Sequence, residues 1–203
     1  MLIAAHFPRA ARLCIGPNSA QDGWCAMTLK HLLLTGYRGC GKSAVGQCLA
    51  QRLNRPLVDI DLEIEASAGK TIAELFSEVG EQGFRDLESN QIVLQRSLKQ
   101  PAIISLGGGS VLRQENRECI RSLGQTVWLQ ATPETIFERI SNDKSTQARR
   151  PKLSTLGDMD EIRLILAKRI EWYKEVSDFA VATDDLSMDK VADLILDWYQ
   201  RIH

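Results

Sequence analysis

No excess of either charge marks this chain: 25 Lys and Arg stand against 26 Asp and Glu, a formal net charge of -1. That balance excludes the broad basic field by which nucleic-acid and membrane-surface proteins hold polyanions. An anionic small molecule would have to be held by a few placed cations. No Cys-x-x-Cys pair occurs either. The five cysteines, Cys14, Cys25, Cys40, Cys48 and Cys119, are odd in number and scattered. This speaks against a disulfide framework or a zinc site and fits a reducing, cytoplasmic setting. No uninterrupted apolar stretch nears the roughly 20 residues of a membrane span. Repeats and low-complexity linkers are absent, and 203 residues suit one α/β domain. No apolar stripe announces a protein partner, so a monomer is expected.

Acids are missing from Met1 to Gln21, which carries Arg9 and Arg12 and is rich in alanine. A transit peptide is one reading; a secretory signal fits less well, because Pro8, Arg9 and Arg12 interrupt any apolar core. The plainer expectation is a poorly ordered extension over 1–28, with Met27 as an alternative start of a working domain at 29–203.

From Met27 onward, short apolar runs alternate with helical patterns. Lys30–Thr35, Leu57–Ile60, Ala102–Leu106, Thr126–Gln130 and Asp178–Ala182 predict five buried strands. Lys42–Leu53 places Val45, Leu49 and Leu53 at helical spacing. Asp61 to Leu98 is mainly helical, broken near Gly69 and Gly80. Pro133 follows Thr132 at a helix start. The last helix groups Met188, Val191, Ile195, Trp198 and Ile202 on one face. Short apolar strands separated by helices predict a five-stranded parallel sheet covered on both faces. The polar stretch 141–158, with Arg149, Arg150 and Pro151, predicts either a solvated connection or a mobile lid.

The strongest motif is Gly36-Tyr-Arg-Gly-Cys-Gly41-Lys42-Ser43, a full match to G-x-x-x-x-G-K-[ST] placed between a strand and a helix. Glycines let such a loop curl until backbone N–H groups meet phosphate oxygens. The helix that opens near Lys42 adds the positive end of its dipole. The nucleotide contacts are therefore expected at Gly39, Cys40, Gly41, Lys42, Ser43 and Ala44. Lys42 reaches the β- and γ-phosphates, and the Ser43 hydroxyl ligates Mg²⁺. Cys40 is either a reactive thiol or a small filler beside the phosphates.

The motif implies ATP and Mg²⁺ but does not choose an acceptor. Two aspartates, Asp59 and Asp61, close the second strand with the i, i+2 spacing that puts both on one face. One can support Mg²⁺ and the other can take a proton from an attacking hydroxyl. Alternatively, one of them merely caps the next helix. Arg85 on its helix and the glycines 107–109 after the third strand are ambiguous by themselves.

In order and spacing, Gly36–Ser43, Val58-Asp59-Ile60-Asp61, Gly80–Arg85, Ser105–Gly109, Arg150-Pro151 and Lys168-Arg169 resemble the shikimate kinase family, from about Lys30 to the C-terminus. The resemblance implies a P-loop kinase fold with a mobile lid at 141–158 and a small helical acceptor-binding region at 61–98. It implies ATP-dependent phosphorylation of the 3-hydroxyl of shikimate, on the route to chorismate and the aromatic amino acids. Asp61 would bind the acceptor hydroxyls and act as base, and Asp59 would support Mg²⁺ through water. Arg85 and Arg169 would grip the acceptor carboxylate, with Gly107, Gly108 and Gly109 meeting the acceptor by backbone. Arg150 would close onto the phosphates, with Arg149 as its rival, and Arg139 would pack on adenine. Lys152 departs from the apolar residue the family usually carries after the proline. A gluconate kinase-like polyol kinase and a non-catalytic ATP-binding module are the competing readings; the latter leaves Asp61, Arg85 and Arg169 without a shared purpose.

Overall fold

The computed structural model describes residues 4–6, 30–142 and 158–202. Five strands run parallel: β2 (His31–Thr35), β3 (Leu57–Asp59), β4 (Ile103–Ser105), β5 (Gly124–Gln130) and β6 (Phe179–Ala182). A sixth, β1 (Ala4–His6), was not expected. It lies within the N-terminal extension and joins the edge antiparallel, with Ala4 opposite Val181 and His6 opposite Phe179. The strand order is β1-β6-β5-β2-β4-β3.

The helices are α1 (Lys42–Leu53), α2 (Ile60–Ala68), α3 (Ile72–Leu94), α4 (Gln114–Leu123), α5 (Pro133–Asn142), α6 (Asp158–Val176) and α7 (Met188–Arg201). The expected breaks at Gly69 and Gly80 are present. Gly69 is a left-handed C-cap for α2, and Gly80 interrupts α3 with φ 68°. Thr71 and Glu74 form a reciprocal cap at the start of α3. Thr132 accepts from the Thr135 N–H ahead of α5. Of the apolar face foreseen for α7, Val191, Ile195 and Trp198 are buried, whereas Met188 and Ile202 at its two ends are exposed.

Alternation along β2 builds two cores. Leu32 and Leu34 point to one face, where they meet Val45 and Leu49 of α1 and Ile195 and Trp198 of α7. Leu33 points to the other, with Ile60, Phe84, Ile104 and Tyr173. Each of these leucines is fully buried, worth about 1.5–3 kcal/mol against exposure. That is why the middle of the central strand is an unbroken leucine run and not alternating.

Strand order also positions the site. From β2 the chain crosses to β3 at one edge, returns to β4, then passes to β5 on the other side of β2. Ligands bind at the carboxyl ends of strands where the strand order of such a sheet reverses. The loop after β2, the glycines after β4 and the acid ending β3 therefore emerge side by side. No helix among the described residues is long and apolar enough to cross a membrane.

Candidate active site

The phosphate loop spans Gly36 to Gly41, with Gly39 at φ 81° and Gly41 at φ 88°. These left-handed angles are cheap only for glycine and turn the loop into the first turn of α1. Lys42 is 8% exposed, and its Nζ donates to the carbonyls of Gly36 and Tyr37, each at 2.9 Å. The ammonium is thus folded back over the loop. A cleft of about 300 Å³ opens here, lined by Gly39, Gly41, Lys42, Ser43, Ala44, Asp59, Asp61 and Arg139. Cys40 turns its side chain away from the cleft into the core, and burial pushes its thiol upward. That favours the filler reading over a reactive thiol.

Ser43 Oγ donates to Asp59 Oδ2 at 2.7 Å, and Asp59 Oδ1 accepts from the Asp61 N–H at 3.1 Å. Asp59 therefore caps α2 and also faces the serine. The capping reading holds for Asp59, and its second carboxylate oxygen stays turned toward Ser43. The Ser43 hydroxyl and a carboxylate of fixed orientation are hard oxygen donors, suited to Mg²⁺, which takes few protein ligands and keeps waters. The route to Asp61 differs from expectation. The strand ends at Asp59, and Asp61 sits in the first turn of α2. Both acids still reach the cleft, but helix geometry, not strand alternation, brings the second one there.

The glycine triplet forms the floor beside this cleft. A methyl at Gly107 would lie 2.7 Å from Asp61 Oδ1 and 2.5 Å from Glu88 Oε1. A methyl at Gly108 would lie 3.2 Å from the Arg38 nitrogen in the phosphate loop, and one at Gly109 would run into the Arg85 guanidinium. From the far side, Arg169 Nη1 and the Tyr173 hydroxyl both donate to the Gly108 carbonyl, at 2.9 and 2.7 Å. Three consecutive glycines thus join Asp61, the phosphate loop, Arg85 and Arg169. Arg85 and Arg169 approach the same short segment from α3 and α6.

Glu88, which the sequence reasoning passed over, fixes Arg85. The carboxylate is 1% exposed; Oε2 accepts from Arg85 Nη1 at 2.7 Å, and Oε1 accepts from Ser110 Oγ at 2.8 Å. Burial drives its carboxyl above the usual range, against the opposing pull of Arg85. Phe76 and Phe84 flank the guanidinium, with ring centroids 5.9 and 5.3 Å from Cζ. The available signal was spacing: Glu88 follows Arg85 by one helical turn. Tyr173 follows Arg169 by the same rule on α6. Burial raises the Tyr173 hydroxyl, keeping it a donor.

Arg139 lies at the other end of the cleft. It donates to the Gly39 carbonyl at 3.3 Å and to the Thr183 carbonyl at 2.6 Å, joining the loop to the end of β6. A polar hollow beside it is lined by Thr135, Glu138, Asn142, Asp184 and Asp185. Arg149, Arg150, Pro151 and Lys152 lie outside the described residues, as does most of the 141–158 segment.

A parallel sheet with a G-x-x-x-x-G-K-S loop at its reversal point, beside acids and paired arginines, defines a P-loop kinase. The shikimate kinase family model matches residues 38–200. Shikimate kinases of Rhodopirellula baltica and Symbiobacterium thermophilum are 41% and 39% identical, covering 82% and 84% of this chain and 89% and 97% of theirs. Among solved structures, a shikimate kinase of Acinetobacter baumannii in complex with shikimate matches with TM-score 0.79 and 30% identity. It covers 86% of this chain and 94% of that one. The Bacteroides thetaiotaomicron shikimate kinase matches with TM-score 0.76 and 32% identity, over 84% and 98%. This chain belongs to the shikimate kinase family.

Proposed function

We propose that the cleft transfers the γ-phosphoryl group of ATP to the 3-hydroxyl of shikimate, giving shikimate 3-phosphate and ADP. The observation that carries this reading is the glycine floor, against which a proton acceptor (Asp61), the phosphate loop and two guanidinium groups (Arg85, Arg169) all come together. A planar guanidinium binds a carboxylate with two parallel hydrogen bonds, so a pair of arginines selects an acidic acceptor. Bare glycine backbone lets the ring approach closely.

The loop amides of Gly39, Cys40, Gly41, Ser43 and Ala44 hold the phosphates, and Lys42 leaves its carbonyl partners to follow the charge on the transferring group. Ser43, and Asp59 through water, would hold Mg²⁺, which would neutralise phosphate charge when bound. Asp61 orients the acceptor hydroxyl and takes its proton as the hydroxyl oxygen bonds to the γ-phosphorus and the bond to the bridging oxygen of ADP breaks. A positioned base contributes about 10²–10⁴-fold; alignment and cationic stabilisation supply the rest. Arg139 and the hollow beside it take the adenine end, and Arg150 closes onto the phosphates.

The test is ADP release with Mg²⁺-ATP and shikimate, gluconate or AMP as acceptor. Turnover with shikimate alone is expected, and equal turnover with gluconate would overturn the acceptor assignment. Asp61→Asn is expected to cut transfer while ADP affinity stays within twofold. A parallel loss of ADP affinity would refute its role as base.

A further inference from the structure

We propose that Arg38, the third residue of the phosphate loop, is a loop-borne cation that meets the phosphoryl group during transfer. The inference rests on the kinase reading above and adds to it a residue that the G-x-x-x-x-G-K-S motif leaves open to any side chain.

Arg38 stands where the two halves of the site join. It lines the same cleft as Lys42, Ser43, Asp59 and Asp61. Its backbone nitrogen lies against Gly108, 3.2 Å from where a methyl there would sit. Its guanidinium carbon is 5.8 Å from the centroid of the Tyr37 ring, and that of Arg169 is 6.0 Å from the same centroid. Arg38 is thereby tied to the nucleotide side by its loop and to the acceptor side by Tyr37 and Gly108. A phosphoryl group passing from one to the other crosses this junction.

The side chain is also held loosely. Its ion pair with Glu161 is 3.5 Å long, beyond the 2.7–2.9 Å of a good charge-assisted bond. Its Nε is buried and finds no hydrogen-bond partner among the described residues. A buried donor without a partner is costly, and in a native site it calls for an explanation. Here the explanation is that phosphate oxygens complete the guanidinium's hydrogen bonding. Glu161 is 2% exposed on α6 and serves to keep the guanidinium near the cleft before a phosphate arrives. Because Arg38 belongs to the loop, its charge is carried at the cleft by the loop itself.

Catalysis gains only from contacts that are stronger in the transition state than in the ground state. Arg38→Met keeps the stem and removes the charge. It is expected to lower kcat about 10²-fold, the scale for losing one transition-state donor, with ADP affinity and the KM for shikimate each within about threefold of wild type. Arg38→Lys, which restores a point charge, is expected to recover at least tenfold of that loss. Glu161→Gln is expected to retain a kcat at least tenfold above that of Arg38→Met. Binding of ADP with aluminium fluoride and shikimate, a mimic of the planar transferring group, should weaken about 10²-fold in Arg38→Met while ADP alone does not. Equal impairment of Arg38→Met and Glu161→Gln, or equal loss of ADP and ADP–aluminium fluoride affinity, would make the pair merely structural and overturn the proposal. Wild-type chain inactive with shikimate would refute the kinase reading and this inference together; active wild type with unimpaired Arg38→Met would refute this inference alone.

Discussion

Replacing Arg85 with alanine should do two separable things. It removes one half of the proposed carboxylate clasp, and it strands Glu88. The pair is closed off from solvent, with side-chain exposures of 9% and 1% at a separation of 2.7 Å. Removing one partner of a buried pair costs about 3–5 kcal/mol, because the remaining charge is left uncompensated. For a domain of this size, 1 kcal/mol moves Tm by roughly 2–4 °C, so the expected fall is about 6–20 °C. The loss must depend on pH. Burial already holds the Glu88 carboxyl above its ordinary 4.5, and without Arg85 it rises further. A carboxyl raised in the folded chain keeps a proton that the unfolded chain has released. Its stability contribution is intact below about pH 4.5 and is lost as pH rises through the folded value. Urea denaturation of Arg85→Ala should therefore show a small deficit against wild type near pH 5 and a larger one at pH 8. In the Arg85→Ala, Glu88→Gln double variant most of the stability should return and the pH-dependent part of the deficit should vanish. The raised KM for shikimate should persist. Two results would refute the reasoning: Arg85→Ala within about 1 kcal/mol of wild type at pH 8, or a double variant that regains wild-type KM.

Ser43→Ala removes the hydroxyl that faces Asp59; the Mg²⁺ concentration for half-maximal rate should rise at least tenfold, and an unchanged Mg²⁺ titration would remove Ser43 from the metal site. Tyr173→Phe removes one of two donors on the Gly108 carbonyl. One neutral hydrogen bond is worth about 0.5–1.5 kcal/mol, so the KM for shikimate should rise roughly 2–10-fold while the KM for ATP stays put. Equal shifts in both would mean that the tyrosine only stabilises the fold.

Much of this protein was legible in its residue order. Contiguous signals gave the phosphate loop at Gly36–Ser43, the five parallel strands, and the breaks at Gly69 and Gly80. Each rests on neighbours along the chain: glycine conformations, apolar runs and cap residues act over a few residues. Asp59 and Asp61 were found for a reason that was half right, since the helix begins one residue earlier than the strand pattern suggested.

Tertiary structure alone decided the rest. Strand order, with β4 between β2 and β3, places Gly107–Gly109 between the phosphate loop and the acids, and no local pattern encodes which strands become neighbours. The partners of Arg169 and Arg38 are the Gly108 carbonyl and Glu161, 61 and 123 residues away along the chain, and Ser110 reaches Glu88 from 22 residues away. A guanidinium's role depends on burial and on which oxygen completes its hydrogen bonds, and both are settled only when distant segments pack.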